Sequence, residues 1–194
     1  MAKLSPLISV LSSRGKFLAF MNLCFFGTAL VTALVSSFLL PPQLYEPSNP
    51  QFPVEPASID FPVLLVVIFL FNLIVSSFLV VTLPGFVLFP LSVAFLVYRG
   101  FVWGVLIFAS PAWIFLIALP TLILEGEGYA FAATAGALVG ISWIKPKWIY
   151  QVEGESRTEF MKRALRESAL LYVFVIALLF VAAVVEAATL NIPS

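Results

Sequence analysis

Residues 17–40 read FLAFMNLCFFGTALVTALVSSFLL, twenty-four positions without a charge. Crossing roughly 30 Å of hydrocarbon at about 1.5 Å per residue takes about 20 mostly apolar residues in a helix. The stretch meets that length. It exceeds the apolar region of a cleaved leader, roughly 7 to 15 residues, and no small-x-small pattern precedes Pro41, so it reads as a retained first crossing. The rest of the chain has the same character. Of 194 residues, 62% are hydrophobic and 10% charged, with a mean hydropathy of +1.11, which is not the usage of a soluble domain. The expected architecture is all-α: a polytopic helical membrane bundle forming a single integral membrane domain over residues 1–194.

Outward from the first crossing, residues 41–62 hold seven of the fourteen prolines, the acids Glu46, Glu55 and Asp60, and no Lys or Arg. Proline fixes φ and removes a donor, so this is an extended loop. Pro62 suits the first turn of a second crossing that runs to about Thr82. Leu83-Pro84-Gly85 then supplies turn chemistry. From Phe86 to Ile144 the chain is apolar almost throughout, and two divisions fit it. One has crossings at 86–108 and 127–144 with residues 112–124 as a re-entrant half-helix; the other makes 84–98 the half-helix and 101–124 a crossing. The first is preferred. Residues 145–167 form a basic segment in which Ser156 and Glu159 have capping-box spacing, and a final apolar run covers 168–190.

Charge orients these pieces. Lys3, Arg14 and Lys16 precede the first crossing, and Lys145, Lys147, Arg157, Lys162, Arg163 and Arg166 lie in the basic segment. By the positive-inside rule both regions are cytoplasmic and the 41–61 loop is external. An odd number of crossings must then link them. The expectation is about five transmembrane helices plus one re-entrant half-helix, with a cytoplasmic amino terminus, in the cell membrane.

Several function classes are excluded. Ten Lys and Arg balance ten Asp and Glu, leaving no basic surplus for nucleic acid. No His is present, so His-based metal ligation, Ser-His and Cys-His dyads and His proton relays are absent. The only Asp is Asp60, which rules out paired-aspartate proteolysis. Cys24, the single cysteine, reads as a small buried hydrophobe. No phosphate-cradling glycine motif occurs. No catalytic residue, metal site or cofactor is implied, and the protein is expected not to be an enzyme.

Acids within apolar runs cost about 2.5 to 3.5 kcal/mol at a helix centre and are functional candidates by default. Glu125-Gly126-Glu127-Gly128 is expected to break the helix, either as a turn at the outer interface or as a deep site lining a wet cavity. Glu186 falls near the outer boundary, where it caps a neighbouring helix or faces headgroups. Arg99 either snorkels to a headgroup or pairs with an acid across the bundle. Asn72 is expected to hydrogen-bond between helices. Gly136 and Gly140 make a Gly-x-x-x-Gly step for close helix packing, within the monomer in preference to a dimer. Among the tryptophans, Trp143 and Trp148 beside Lys145 and Lys147 are the convincing interface anchors.

Over roughly residues 65–190 the chain resembles the stage II sporulation protein M family of polytopic membrane proteins. Leu119-Pro120, Glu125, Ala132, Gly136 and Gly140 look like its central stretch, in which a Pro precedes a Glu by five and an Ala-Gly-rich helix follows. Ala182-Ala183-Val184-Val185-Glu186 looks like its closing Ala-Ala-x-x-Glu. Asn72 and Gly100 agree more loosely. The family often carries His-Gly where this chain has Thr121-Leu122, and Asn-Gly where it has Arg99-Gly100. The resemblance implies a membrane component that acts beside catalytic partners in spore formers, and a layout similar to permease subunits. Two functions follow as expectations. One is a non-enzymatic subunit that scaffolds or anchors a membrane assembly through a protein partner or a second copy; the other is a permease-like transport subunit using its intramembrane carboxylates.

Overall fold

The computed structural model describes residues 6–39, 60–110, 112–144, 147, 150 and 156–190. The Pro-rich 41–59 stretch, Lys145, Trp148 and the side chain of Trp113 lie outside the described residues. Five helices carry the chain: α1 (Pro6–Leu39), α2 (Phe61–Val87), α3 (Phe89–Ala109), α4 (Ala112–Ile144) and α5 (Arg157–Leu190). Each is long and apolar enough to cross a membrane, as the composition requires. Two of them are locally widened to π hydrogen bonding, α1 at Leu23–Gly27 and α2 at Phe71–Thr82. Such widening is rare and concentrates at functional sites.

Helix α4 is the axis of the bundle. It touches all four other helices, most extensively α5, and every residue from Gly128 to Ser142 is buried. A helix that is apolar all round belongs in a core, and this one is built of small residues so that its neighbours approach closely. Gly140 and Gly136 receive the corner between α2 and α3. A side chain at Gly140 would collide with the carbonyl of Gly85 and stand 2.8 Å from the amide of Phe89; one at Gly136 would stand 2.6 Å from the carbonyl of Thr82. A second step of this kind, Gly100 and Gly104 on α3, lies against α1, where an added side chain would stand 2.5 Å from the carbonyls of Phe25 and Ala29 respectively. The spacing is present in the sequence but is masked by the uniformly apolar run around it.

The structure corrects three expectations. No half-helix stands at either place proposed for it: residues 112–124 are the first part of the continuous 33-residue α4, and 84–98 is divided between the end of α2 and α3. Nor does Glu125-Gly126-Glu127-Gly128 break the chain. Glycine costs a helix about 1 kcal/mol, but here each glycine admits a neighbour, Gly126 the rings of Phe25 and Phe26 and Gly128 the side chain of Leu179, so packing outweighs propensity. The turn expected at Leu83-Pro84-Gly85 comes later, at Leu88, whose φ of −138° and ψ of 111° are extended. Pro90 then occupies the first turn of α3, where a missing N–H is harmless. The Trp143 indole donates to the Phe86 carbonyl near this corner at 2.8 Å.

The first helix also begins eleven residues earlier than its uncharged core, which puts Arg14 and Lys16 on the helix itself. Arg14 uses that position to grip α5: its Nε donates to Glu167 Oε2 at 2.9 Å and its Nη2 to Oε1 at 3.3 Å. Arg163 adds a second contact to the same carboxylate at 3.5 Å, and the Tyr150 hydroxyl donates to it at 3.2 Å. Burial, with the Glu167 charge close by, pushes the Tyr150 hydroxyl well above the usual phenol range. The reciprocal capping pair opens α5, Glu159 Oε2 accepting from the Ser156 amide at 2.8 Å and Ser156 Oγ accepting from the Glu159 amide at 3.3 Å.

Two alanine substitutions test this packing. Gly140→Ala, which drives a methyl into backbone, should lower stability in detergent by about 1–3 kcal/mol. Gly15→Ala, with nothing within 4 Å, should raise it by about 0.5–1 kcal/mol. Thermal unfolding followed by tryptophan fluorescence reads both.

Candidate functional site

Midway along α4, Glu125 is only 4% exposed, and a carboxylate in that setting needs partners for its lone pairs. It has them. Asn72, at the start of the π-widened part of α2, donates Nδ2 to Glu125 Oε1 at 2.5 Å. Tyr129, one turn along α4, directs its hydroxyl at Glu125 Oε2 at 3.3 Å and at Asn72 Oδ1 at 3.1 Å. One hydroxyl proton serves two acceptors, so these two bonds share it. The oxygen of that hydroxyl accepts from Arg99 Nη2 at 2.5 Å, and the guanidinium also lies over the Tyr129 ring, 4.5 Å from its centroid. Glu125 is close enough to both Arg99 and Glu186 to feel the attraction of one and the repulsion of the other.

Three helices position these groups as they do for separate reasons. The π-widened register of α2 turns Asn72 inward, where it is 7% exposed. Arg99 reaches the bundle interior because its neighbour Gly100 lets α3 sit directly on α1. Tyr129 is fully buried with its ring against Phe25, centroids 6.1 Å apart.

A cavity of about 410 Å³ opens beside the cluster. Its polar lining is Asn72, Arg99, Glu125 and Glu186, and its apolar walls come from Val67, Ile68 and Phe71 on α2 and Val102, Trp103 and Leu106 on α3. Glu186 thus lines the same cavity as Glu125, and Arg99 faces inward, where it hydrogen-bonds the Tyr129 hydroxyl. Glu127 is absent from the lining; two residues along a helix is about 200° around it, so it and Glu125 leave α4 on nearly opposite sides. Asn72, Arg99 and Glu125 lie near the middle of α2, α3 and α4 and Glu186 near the end of α5, away from the Arg14–Glu167 contact, which lies toward the start of α1 and of α5.

Sequence reading missed Tyr129, the residue that connects the others. A signal existed, because Tyr129 is at i+4 from Glu125 and faces the same way on a helix, but only if the Glu-Gly-Glu-Gly stretch is read as helical. Among the described residues no three His, Cys, Asp or Glu side chains are grouped to hold a metal ion. What the arrangement does chemically is keep three ionisable groups inside an apolar bundle by mutual hydrogen bonding, with two carboxylates and a guanidinium presented to a cavity.

A family model described as stage II sporulation protein M matches residues 17–189, a range that contains every member of this cluster. No curated protein and no solved structure matches the chain.

A double-mutant cycle checks the network. Asn72→Ala and Glu125→Ala should couple by about 0.5–3 kcal/mol, whereas Asn72→Ala and Glu127→Ala, which do not meet, should add to within about 0.5 kcal/mol. Equilibrium unfolding in mixed micelles measures both cycles.

Proposed function

The chain belongs to the stage II sporulation protein M family and is a multi-pass membrane protein, and on that footing we propose that it is a non-enzymatic subunit of the cell membrane that anchors a protein assembly from its basic, cytoplasmic end. The supporting observation is the length and bracing of α5. At about 1.5 Å per residue its 34 residues extend to about 51 Å, well beyond a bilayer's hydrocarbon. The apolar part, from Ser168 on, suffices to cross, so the charged turns from Arg157 to Glu167 continue past the membrane as the same rigid helix.

Bracing matters because a docking surface that is already ordered loses less entropy on binding. The bidentate grip of Arg14 on Glu167, at side chains only 13% and 12% exposed, ties this projection to α1. Exposed Lys162 and Arg166 stand one turn apart on it. Such a face suits an acidic surface on a partner, with a strong dependence on ionic strength.

A second reading rests on the cavity: a transport subunit in which Glu125, Glu186 and Arg99 line a path, energised by a partner or an ion gradient. The two readings separate by variant. A photo-crosslinking residue at position 162 or 166 should yield a discrete protein adduct in intact cells, and the double reversal Lys162→Glu with Arg166→Glu should remove it. Glu125→Gln should leave the adduct intact and leave the cellular phenotype of the protein unchanged. If instead Glu125→Gln abolishes the phenotype while the adduct persists, anchoring is not the function and the transport reading stands.

A further inference from the structure

The cavity has a chemistry that anchoring does not use. Its walls are apolar and its rim residues Val67, Phe71 and Leu106 are each about half exposed on the outer surface of the bundle, the surface that meets hydrocarbon in a membrane-spanning protein. Helix packing explains why a mouth exists there. The first part of α2, Phe61–Leu70, packs chiefly on α5, while α3 packs chiefly on α1 and α4, so the two helices flanking the cavity are each committed elsewhere. The opening is therefore lateral, toward lipid.

At the inner end the charges do not cancel. Arg99 is engaged with the Tyr129 hydroxyl, and two carboxylates, Glu125 and Glu186, line the cavity with this one guanidinium, a formal surplus of one negative charge. A group entering from the bilayer is thus met by an acceptor for a cation, with a guanidinium across the same cavity able to face an anion. We propose that this cleft binds the headgroup of an aminophospholipid, its primary ammonium donating to Glu186 and its phosphodiester facing Arg99. The site is separate from the basic docking end and stands whether or not the protein anchors a partner.

Size and donor chemistry narrow the ligand. A cavity of about 410 Å³ is at the low end of the 300–1,000 Å³ range of small-molecule sites, enough for a headgroup and glycerol but not for acyl chains, which stay against the exposed faces of α2 and α3. A primary ammonium carries three donors for a carboxylate; a quaternary ammonium carries none, and a glycerol headgroup brings no positive charge at all. Trp103 in the wall has the amphipathic ring that favours the headgroup level.

Native mass spectrometry of the full chain, released from micelles containing equal amounts of phosphatidylethanolamine, phosphatidylcholine and phosphatidylglycerol, tests this. The expected result is retention of phosphatidylethanolamine over the other two by about tenfold, the size of one charge-assisted hydrogen bond, with that preference lost in Glu186→Gln. Equal retention of the three lipids by the unaltered protein overturns the proposal. Val102→Trp, which fills the cleft and leaves every charge in place, should displace the lipid; continued preferential retention in that variant places the lipid elsewhere and also overturns it. Free glycerophosphoethanolamine at the same concentration should compete poorly; full displacement by it would assign the site to a soluble amine in place of a lipid.

Discussion

Everything in this bundle depends on the enclosed stretch of α4, buried at every residue from Gly128 to Ser142. A helix in that position needs small side chains where its neighbours close on it, and any polar group it carries must find its bonds within the protein. The run of Ala and Gly from Ala130 to Gly140 meets the first requirement, and it lets the α2–α3 corner settle directly on the helix backbone. Glu125 meets the second. Both of its oxygens are taken, by Asn72 and by Tyr129, and the hydroxyl that serves it is itself held by Arg99.

Such a network is weak evidence for stability, because the desolvation of buried charges offsets much of their attraction. Its effect is on specificity. Asn72, Arg99 and Tyr129 come from three different helices, and only one relative placement of α2, α3 and α4 lets all three reach each other. In an otherwise apolar bundle, where lipid tails are as good a neighbour as leucine, close packing of small residues and interhelical hydrogen bonds supply the register. The ionic cluster of Arg14, Arg163, Tyr150 and Glu167 does the same at the opposite end for α1 and α5. The bundle is thus pinned at two levels, and the cavity lies at the level of Asn72, Arg99 and Glu125.

Much of this was legible in the residue order. The apolar runs gave an all-α bundle of five long helices, and the resemblance carried by Pro120, Glu125 and the closing Ala182-Ala183-x-x-Glu186 pointed to the family whose model matches the chain. Asn72, Arg99, Glu125 and Glu186 stood out because polar groups in apolar runs are expensive. Less was legible where glycine and proline are concerned. Reading Gly126 and Gly128 as breakers, and Pro84 with Gly85 as a turn, applies local propensity where tertiary contact decides. A glycine that lets the Phe25 ring lie on the helix is indistinguishable, in one dimension, from a glycine that ends it. The same misreading hid Tyr129, whose place one turn from Glu125 exists only if the helix is unbroken.

By itself, then, the sequence determined the class of the protein, the approximate number of crossings and the short roster of polar residues that hydrocarbon would not tolerate unpaired, because all of these follow from transfer free energies summed along the chain. Which of those residues meet depends on how the helices pack. Asn72 and Glu186 are 114 positions apart in the sequence and line one cavity, whereas Glu125 and Glu127 are two apart and part company. The physical reason is that a helix assigns direction by rotation about its axis, about 100° per residue. Which rotation faces the core is set by the small residues on α4 and α3, through contacts with chain far away.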